Sequence, residues 1–220
     1  MHTELVQRLR LRFTKTGEMK FISHRDLMRL FERAVRRAEL PIRMTSGFNP
    51  HPRISFPLAL SLGVEATAEI VEMEFSRWVH PEAVKEALNR NLPPQIRVKS
   101  VSRIPPRQKD MVRDVTYEIV PPQLLEQHIR AAERLLGSTE FFVEREGKNG
   151  AKRVDIRRFI LDIKVEDGKI TAWVKVSSDG TVRPEELLSA LGMENLPGVS
   201  VTRSSVNLSP RDRTKRRNYR

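Results

Sequence analysis

"LRLRFTK" (residues 9–15) alternates apolar Leu9, Leu11 and Phe13 with basic Arg10, Arg12 and Lys15. This is the period-two signature of a half-buried strand whose other face is basic. From Ser23 to Leu40 the period lengthens: Leu27, Leu30, Phe31, Ala34, Val35 and Ala38 recur at helical spacing, Ser23 is an N-cap, and Asp26 stands where a capping-box partner belongs. Pro41 ends that helix. "RISF" and "AEIVEMEFS" (68–76) read as strands, Pro81 and Glu82 open a helix over 81–92, and "IRVKSVSRI" (96–104) alternates again. The order is β-α-β-β-α-β, that of a ferredoxin-like unit.

After a proline-led, charged stretch at 105–114 that reads as a linker, the order restarts. "VTYEIV" is strand-like, and 122–137 is helical with Leu124, Leu125, Ile129, Ala132, Leu135 and Leu136 inward and Gly137 as the stop. "TEFFVERE" and "RRFILDIKVED" follow as strands, and "GKITAWVKVS" forms a hairpin across an Asp-Gly turn. A helix "PEELLSALG" and a strand "GVSVTRSSVNL" close the set. The expected fold is therefore α+β: two tandem ferredoxin-like units with antiparallel sheets, at 1–104 and 115–208, joined by the 105–114 linker. A basic tail at 209–220, with Tyr219 as its one apolar side chain, reads as disordered unless a partner orders it.

The 220 residues carry 40 Lys and Arg against 28 Asp and Glu, a formal +12, which favours a polyanionic partner, nucleic acid before membrane surface. With no cysteine, the chain by itself makes neither disulfides nor thiolate metal centres. A reducing cytoplasm fits. No signal-like apolar run opens the sequence and nothing approaches a spanning helix, so a soluble protein without membrane contact is expected. No Walker loop, GxGxxG run, nucleophile elbow or HExxH helix occurs, and no two histidines have metal-ligand spacing. Neither cofactor nor metal is expected.

Three constellations could carry function. On the first helix Arg25, Arg29, Arg33 and Arg36 fall on one ridge opposite the apolar stripe, with Arg37 at its flank. The ridge reads either as a solvated face with ion pairs such as Glu32 to Arg36, or as a track for phosphates, which guanidinium groups match bidentately. The second is "SGFNPHPRISF" (46–56). Gly47 tolerates φ > 0, and Asn49 and His51 each precede a proline, so the loop is stiff and presents Asn49, His51 and Arg53 for anion or base recognition. The bland alternative is a tight turn whose histidine caps a carbonyl. His51 as a general acid or base would need a partner, and His24 is the candidate. The third is "KRVDIRRFI" (152–160), where Lys152, Arg153 and Arg157 offer nucleic-acid contacts, or else blunt an edge strand.

The long stretch "FISHRDLMRLFERAVRRAELPIRMTSGFNPHPRISFPLALSLGVEATAEIVEMEF" resembles the N-terminal signature of an uncharacterised bacterial radical-SAM-associated family, and "KRVDIRRFI" is similar to that family's later motif. The resemblance implies an accessory domain beside or fused to a radical S-adenosylmethionine protein. Enzymes of that kind hold a 4Fe–4S cluster on three cysteines, so the catalyst would be a separate polypeptide. In architecture the tandem order also resembles the CRISPR repeat-processing endoribonucleases. The expected function is a non-catalytic RNA-binding accessory to a separately encoded radical-SAM enzyme of ribosomal or transfer RNA modification. A metal-independent endoribonuclease and a purely protein-binding adaptor are the alternatives.

Overall fold

The computed structural model describes residues 5–147 and 150–210. It is a mixed α/β fold with four α-helices and one large, mostly antiparallel sheet. Its elements are β1 (Gln7–Lys15), α1 (His24–Arg37), β2 (Ile54–Ser55), β3 (Glu65–Phe75), α2 (Pro81–Asn91), β4 (Ile96–Ile104), β5 (Asp110–Val120), α3 (Glu126–Gly137), β6 (Phe142–Gly147), β7 (Gly150–Asp155), β8 (Ile160–Glu166), β9 (Lys169–Lys175), α4 (Pro184–Ala190) and β10 (Ser200–Pro210). The sheet runs β4-β1-β3-β10-β5-β9-β8, with β2 also on β3. Strands β6 and β7 form a separate hairpin.

The strand alternation in β1 produces the expected face: Leu9, Leu11 and Phe13 are fully buried. They meet Leu27, Phe31, Ala34 and Val35 of α1 and Val84 and Leu88 of α2 in one core. A second core lies under α3 and α4, where Ala132, Leu135 and Leu187 cover Val115, Ile119, Ile170 and Val174. Ala66 and Ile70 of β3 belong to that second core, so it extends across the boundary between the halves.

Several readings are corrected. Lys15 is on the buried side of β1, 1% exposed, because it sits two residues on from Phe13 in the same alternation. The stretch 105–114 splits: 110–114 are the first half of β5, paired with the end of β10. The helix expected from 122 begins at Glu126, where His128 Nδ1 accepts the Leu125 N–H at 3.2 Å and closes the end. Finally, the two expected antiparallel sheets are one sheet, because β3 and β10 pair in parallel at Thr202↔Glu65 and Arg203↔Ala66. The Asp-Gly hairpin is as expected, with Asp167 and Gly168 both at positive φ between Glu166 and Lys169. The expected tail at 209–220 starts later than read, because Ser209 and Pro210 pair with Met111 and Asp110 at the end of β10; residues 211–220 lie outside the described residues. No helix among the described residues is long and apolar enough to cross a membrane.

The parallel seam carries a buried charge cluster. Arg203, 1% exposed, donates from Nε to Glu69 Oε1 and from Nη2 to Glu69 Oε2, both at 2.6 Å, and from Nη1 to the Ala59 carbonyl at 3.1 Å. Burial works against the Arg203 charge, yet Glu69 outweighs it and the net shift of its pKa is upward. Burial pushes the neighbouring Tyr117 hydroxyl up and the Lys15 ammonium down from their ordinary values. Lys15 Nζ donates to the Lys20 and Ile22 carbonyls, each at 3.3 Å.

Removing one partner of such a pair costs far more than removing both. Glu69→Leu is expected to lower the unfolding free energy by about 3–5 kcal/mol, while Glu69→Leu/Arg203→Met recovers most of the loss. Urea denaturation of the three proteins checks this.

Candidate nucleic-acid interface

Helix α1 starts where the sequence marks it: the Ser23 hydroxyl accepts the Asp26 N–H at 3.1 Å and donates to Asp26 Oδ2 at 2.7 Å. With Leu27, Phe31, Ala34 and Val35 facing inward, Arg25, Arg29, Arg33, Arg36 and Arg37 are all exposed. Arg29 lies 3.7 Å from Asp26, both side chains more than half exposed, a geometry worth little in water. Among the described residues Arg25, Arg33, Arg36 and Arg37 form no ion pair, and Glu32 does not bridge to Arg36. The ridge is therefore a row of available guanidinium groups.

The stretch 46–56 forms the outer half of a tongue rooted on β3. The Arg43 N–H donates to Glu74 O at 2.7 Å, the Glu74 N–H to Arg53 O at 3.0 Å, and the Arg53 N–H to Arg43 O at 2.8 Å. Further out, the Thr45 N–H donates to His51 O at 2.8 Å and the His51 N–H to Thr45 Oγ1 at 2.9 Å. The tip turns at Gly47, whose φ of 129° belongs to glycine, so a side chain there would strain the backbone even though space is open. Asn49, His51 and Arg53 are exposed, as anticipated. Phe48 at the tip is completely exposed and was not singled out from the sequence. The signal was present: a lone aromatic flanked by glycine and asparagine in a proline-stiffened turn has no core to enter.

The inner end of the same stretch joins it to α1. Phe56 packs edge-to-face on Phe31 at 5.6 Å, Phe13 at 6.0 Å and the His24 ring at 5.4 Å. His24 thus meets the stretch at Phe56, five residues past His51, and among the described residues it makes no hydrogen bond to His51. The first turn of α1 and the root of the tongue are packed together, which brings Arg25 and the tongue onto one connected framework.

The third group divides. Lys152 and Arg153 are exposed on β7, opposite Arg145 and Glu144, and the Arg153 guanidinium stacks 3.9 Å from the centre of the Phe142 ring. The hairpin is tied to α4 by Arg145, which donates to both Glu186 oxygens at 2.7 and 2.8 Å. That hydrogen bonding raises the Arg145 pKa further. Arg157 is a correction: its guanidinium donates to the carbonyls of Leu136, Ser138 and Ile160 at 2.8–3.1 Å, closing the C-terminal end of α3 instead of facing a ligand. No hydrogen bond or ion pair among the described residues joins this hairpin to α1 or the tongue. Nor do the described residues contain three or more His, Cys, Asp or Glu side chains grouped to hold a metal.

The class defined by this geometry is a mixed α/β protein with an open arginine ridge beside an aromatic-tipped tongue. Residues 8–184 match the family described as "Uncharacterized protein conserved in bacteria (DUF2344)", and the chain belongs to that family. No curated protein matches it. Among solved structures, an unknown protein from Galdieria sulphuraria is similar at 13% identity, over 94% of this chain and 99% of its own, with a TM-score of 0.25.

Because Arg157 satisfies partly buried carbonyls, Arg157→Ala is expected to cost about 1–3 kcal/mol of stability. Lys152→Ala/Arg153→Ala should stay within about 0.5 kcal/mol of the parent. Thermal denaturation separates the two roles.

Proposed function

We propose that this chain is a non-catalytic RNA-binding accessory protein that works with a radical S-adenosylmethionine enzyme in ribosomal or transfer RNA modification. The observation that carries the RNA part is the exposed ridge Arg25, Arg29, Arg33 and Arg36 on α1, whose one ion pair is the solvent-exposed contact of Arg29 with Asp26, in a chain of formal charge +12. Phosphates would track along the ridge, while Phe48 offers a stacking face for an unpaired base and Asn49, His51 and Arg53 line its approach. Lys152 and Arg153 would extend the contact on the second half. The order β4-β1-β3-β2 in the first half and β10-β5-β9-β8 in the second supports two ferredoxin-like units, with the β6–β7 hairpin inserted in the second. The resemblance of the 21–75 stretch to the radical-SAM-associated family motivates the partner, which would supply the cluster-bearing cysteines that these 220 residues lack. A cytoplasmic place of action fits the same cysteine-free composition.

RNA affinity measured by fluorescence anisotropy with bulk host RNA should fall linearly in log–log form between roughly 50 and 200 mM salt. Arg29→Ala/Arg33→Ala should reduce that slope by about two. Phe48→Ala should weaken binding of single-stranded RNA by about 1–3 kcal/mol with the slope unchanged. Binding that is absent or indifferent to salt rejects the RNA reading, and RNA cleavage by the purified protein would favour the endoribonuclease instead.

The partner part stands or falls separately. Affinity purification from the native host is expected to recover a radical-SAM protein, and a recovery that repeatedly lacks one counts against the pairing.

A further inference from the structure

The loop between β3 and α2 holds a tryptophan in the open. Trp78 is 58% exposed, yet the backbone on both sides of it is fixed. On one side the Ser76 N–H donates to the Pro41 carbonyl at 2.9 Å. On the other, Gln7, 4% exposed, clamps Val79: its Nε2 donates to the Val79 carbonyl at 3.1 Å and its Oε1 accepts the Val79 N–H at 2.9 Å. A buried amide committed to the residue beside an exposed indole holds that ring in one place and lowers the ordering cost of any contact with it.

Arg103, on the outermost strand β4, stacks its guanidinium 3.9 Å from the centre of the ring. More than half of Trp78 stays exposed with that cation in place, so ring surface is left for a second planar group. The surroundings are cationic. Arg77 beside Trp78, Arg97 and Lys99 on β4, and Arg107 beyond it are exposed and form no ion pair among the described residues. From Phe75 to Pro81 and from Ala87 to Lys109 the sequence holds no Asp or Glu. The acids flanking the loop are consumed, Glu74 by Arg43 at 2.8 Å and Glu82 by Lys85 at 2.6 Å. Unmatched positive charge around an open ring complements a polyanion whose units are themselves aromatic. The ring further selects an unpaired strand, because in a duplex the bases already stack on one another.

We propose that Trp78 is a stacking platform for one unpaired base of an RNA strand. Arg103 backs the ring, while Arg77 and the cations of β4 meet the flanking phosphates. The inference rests on the nucleic-acid reading and adds to it a base contact on residues that belong neither to the ridge nor to the tongue.

Titration of the full chain with an oligoadenylate RNA of about 12 nucleotides, and with the same strand lacking its bases, tests it. Tryptophan emission reports the ring, and anisotropy of a labelled strand reports affinity. The chain has two tryptophans, so Trp78→Phe isolates the signal. The oligoadenylate should quench the parent but not Trp78→Phe, whose affinity stays within about threefold because a ring is retained. Trp78→Ala should bind about five- to a hundredfold more weakly with the salt slope unchanged, and Arg77→Ala should lower that slope by about one. The strand without bases should leave the emission as it was. Quenching that survives in Trp78→Phe, equal quenching by the baseless strand, parental affinity in a folded Trp78→Ala protein, or no binding of the oligoadenylate overturns the proposal. If Trp78→Ala does not fold, Trp78→Phe and the baseless strand still decide. RNA binding that leaves Trp78 emission unchanged rejects the platform and keeps the ridge; quenching with a salt slope untouched by Arg29→Ala/Arg33→Ala keeps the platform and rejects the ridge.

Discussion

The Arg203–Glu69 pair sits where the two halves become one sheet, and the architecture depends on it. β3 is 11 residues long, but β2 covers only its far end through Ile54 and Ser55. The near end, at Glu65 and Ala66, keeps a free edge, and β10 takes it in parallel. Two residues of register are a thin join for two half-sheets. The bidentate Arg203–Glu69 contact, closed by the Ala59 carbonyl, adds an interaction that depends on this pairing of the strands. An isolated ion in that place would be severely penalised, so the pair fixes the register while adding little net stability.

The same logic sorts the other arginines. Arg8, Arg10, Arg145, Arg157 and Arg203 lie on or under sheets and hairpins and are matched by carboxylates or carbonyls. Those of α1 project from the outer face of a helix whose other side is apolar, and apart from the exposed Arg29–Asp26 contact they form no ion pair among the described residues. The ridge on α1 and the tongue thus present exposed positive charge side by side. Packing of Phe56 against Phe13, Phe31 and His24 keeps these two features in fixed relation.

Much of this was legible in the sequence because it depends on local periodicity. β1, α1 with its Ser23 cap, the Pro81 helix start and the Asp-Gly turn each have a pattern within a few residues. The stiffness of the tongue was legible for the same reason, since proline and glycine constrain backbone angles wherever they stand. What escaped were features set by distant partners. Lys15 read as an outward basic residue, yet it continues the buried face and finds its acceptors at Lys20 and Ile22. Arg157 read as a ligand contact, though the end of α3 consumes its donors. The stretch at 152–155 was read as a possible edge strand, and what escaped was its partner, since β7 pairs with β6 in a hairpin apart from the large sheet.

By itself, then, the sequence determined the kinds and order of the elements, the cores they could fill, the ridge of arginines and the rigidity of the tongue, because each follows from side-chain spacing and backbone restriction. Tertiary structure alone decided which charges are consumed and which are left for a partner. Arg203 meets Glu69 across 134 residues and Arg10 meets Asp110 across 100, and no local pattern announces a contact made at such separation. It also decided that two half-sheets share one edge, since that depends on how much of β3 the short strand β2 leaves uncovered.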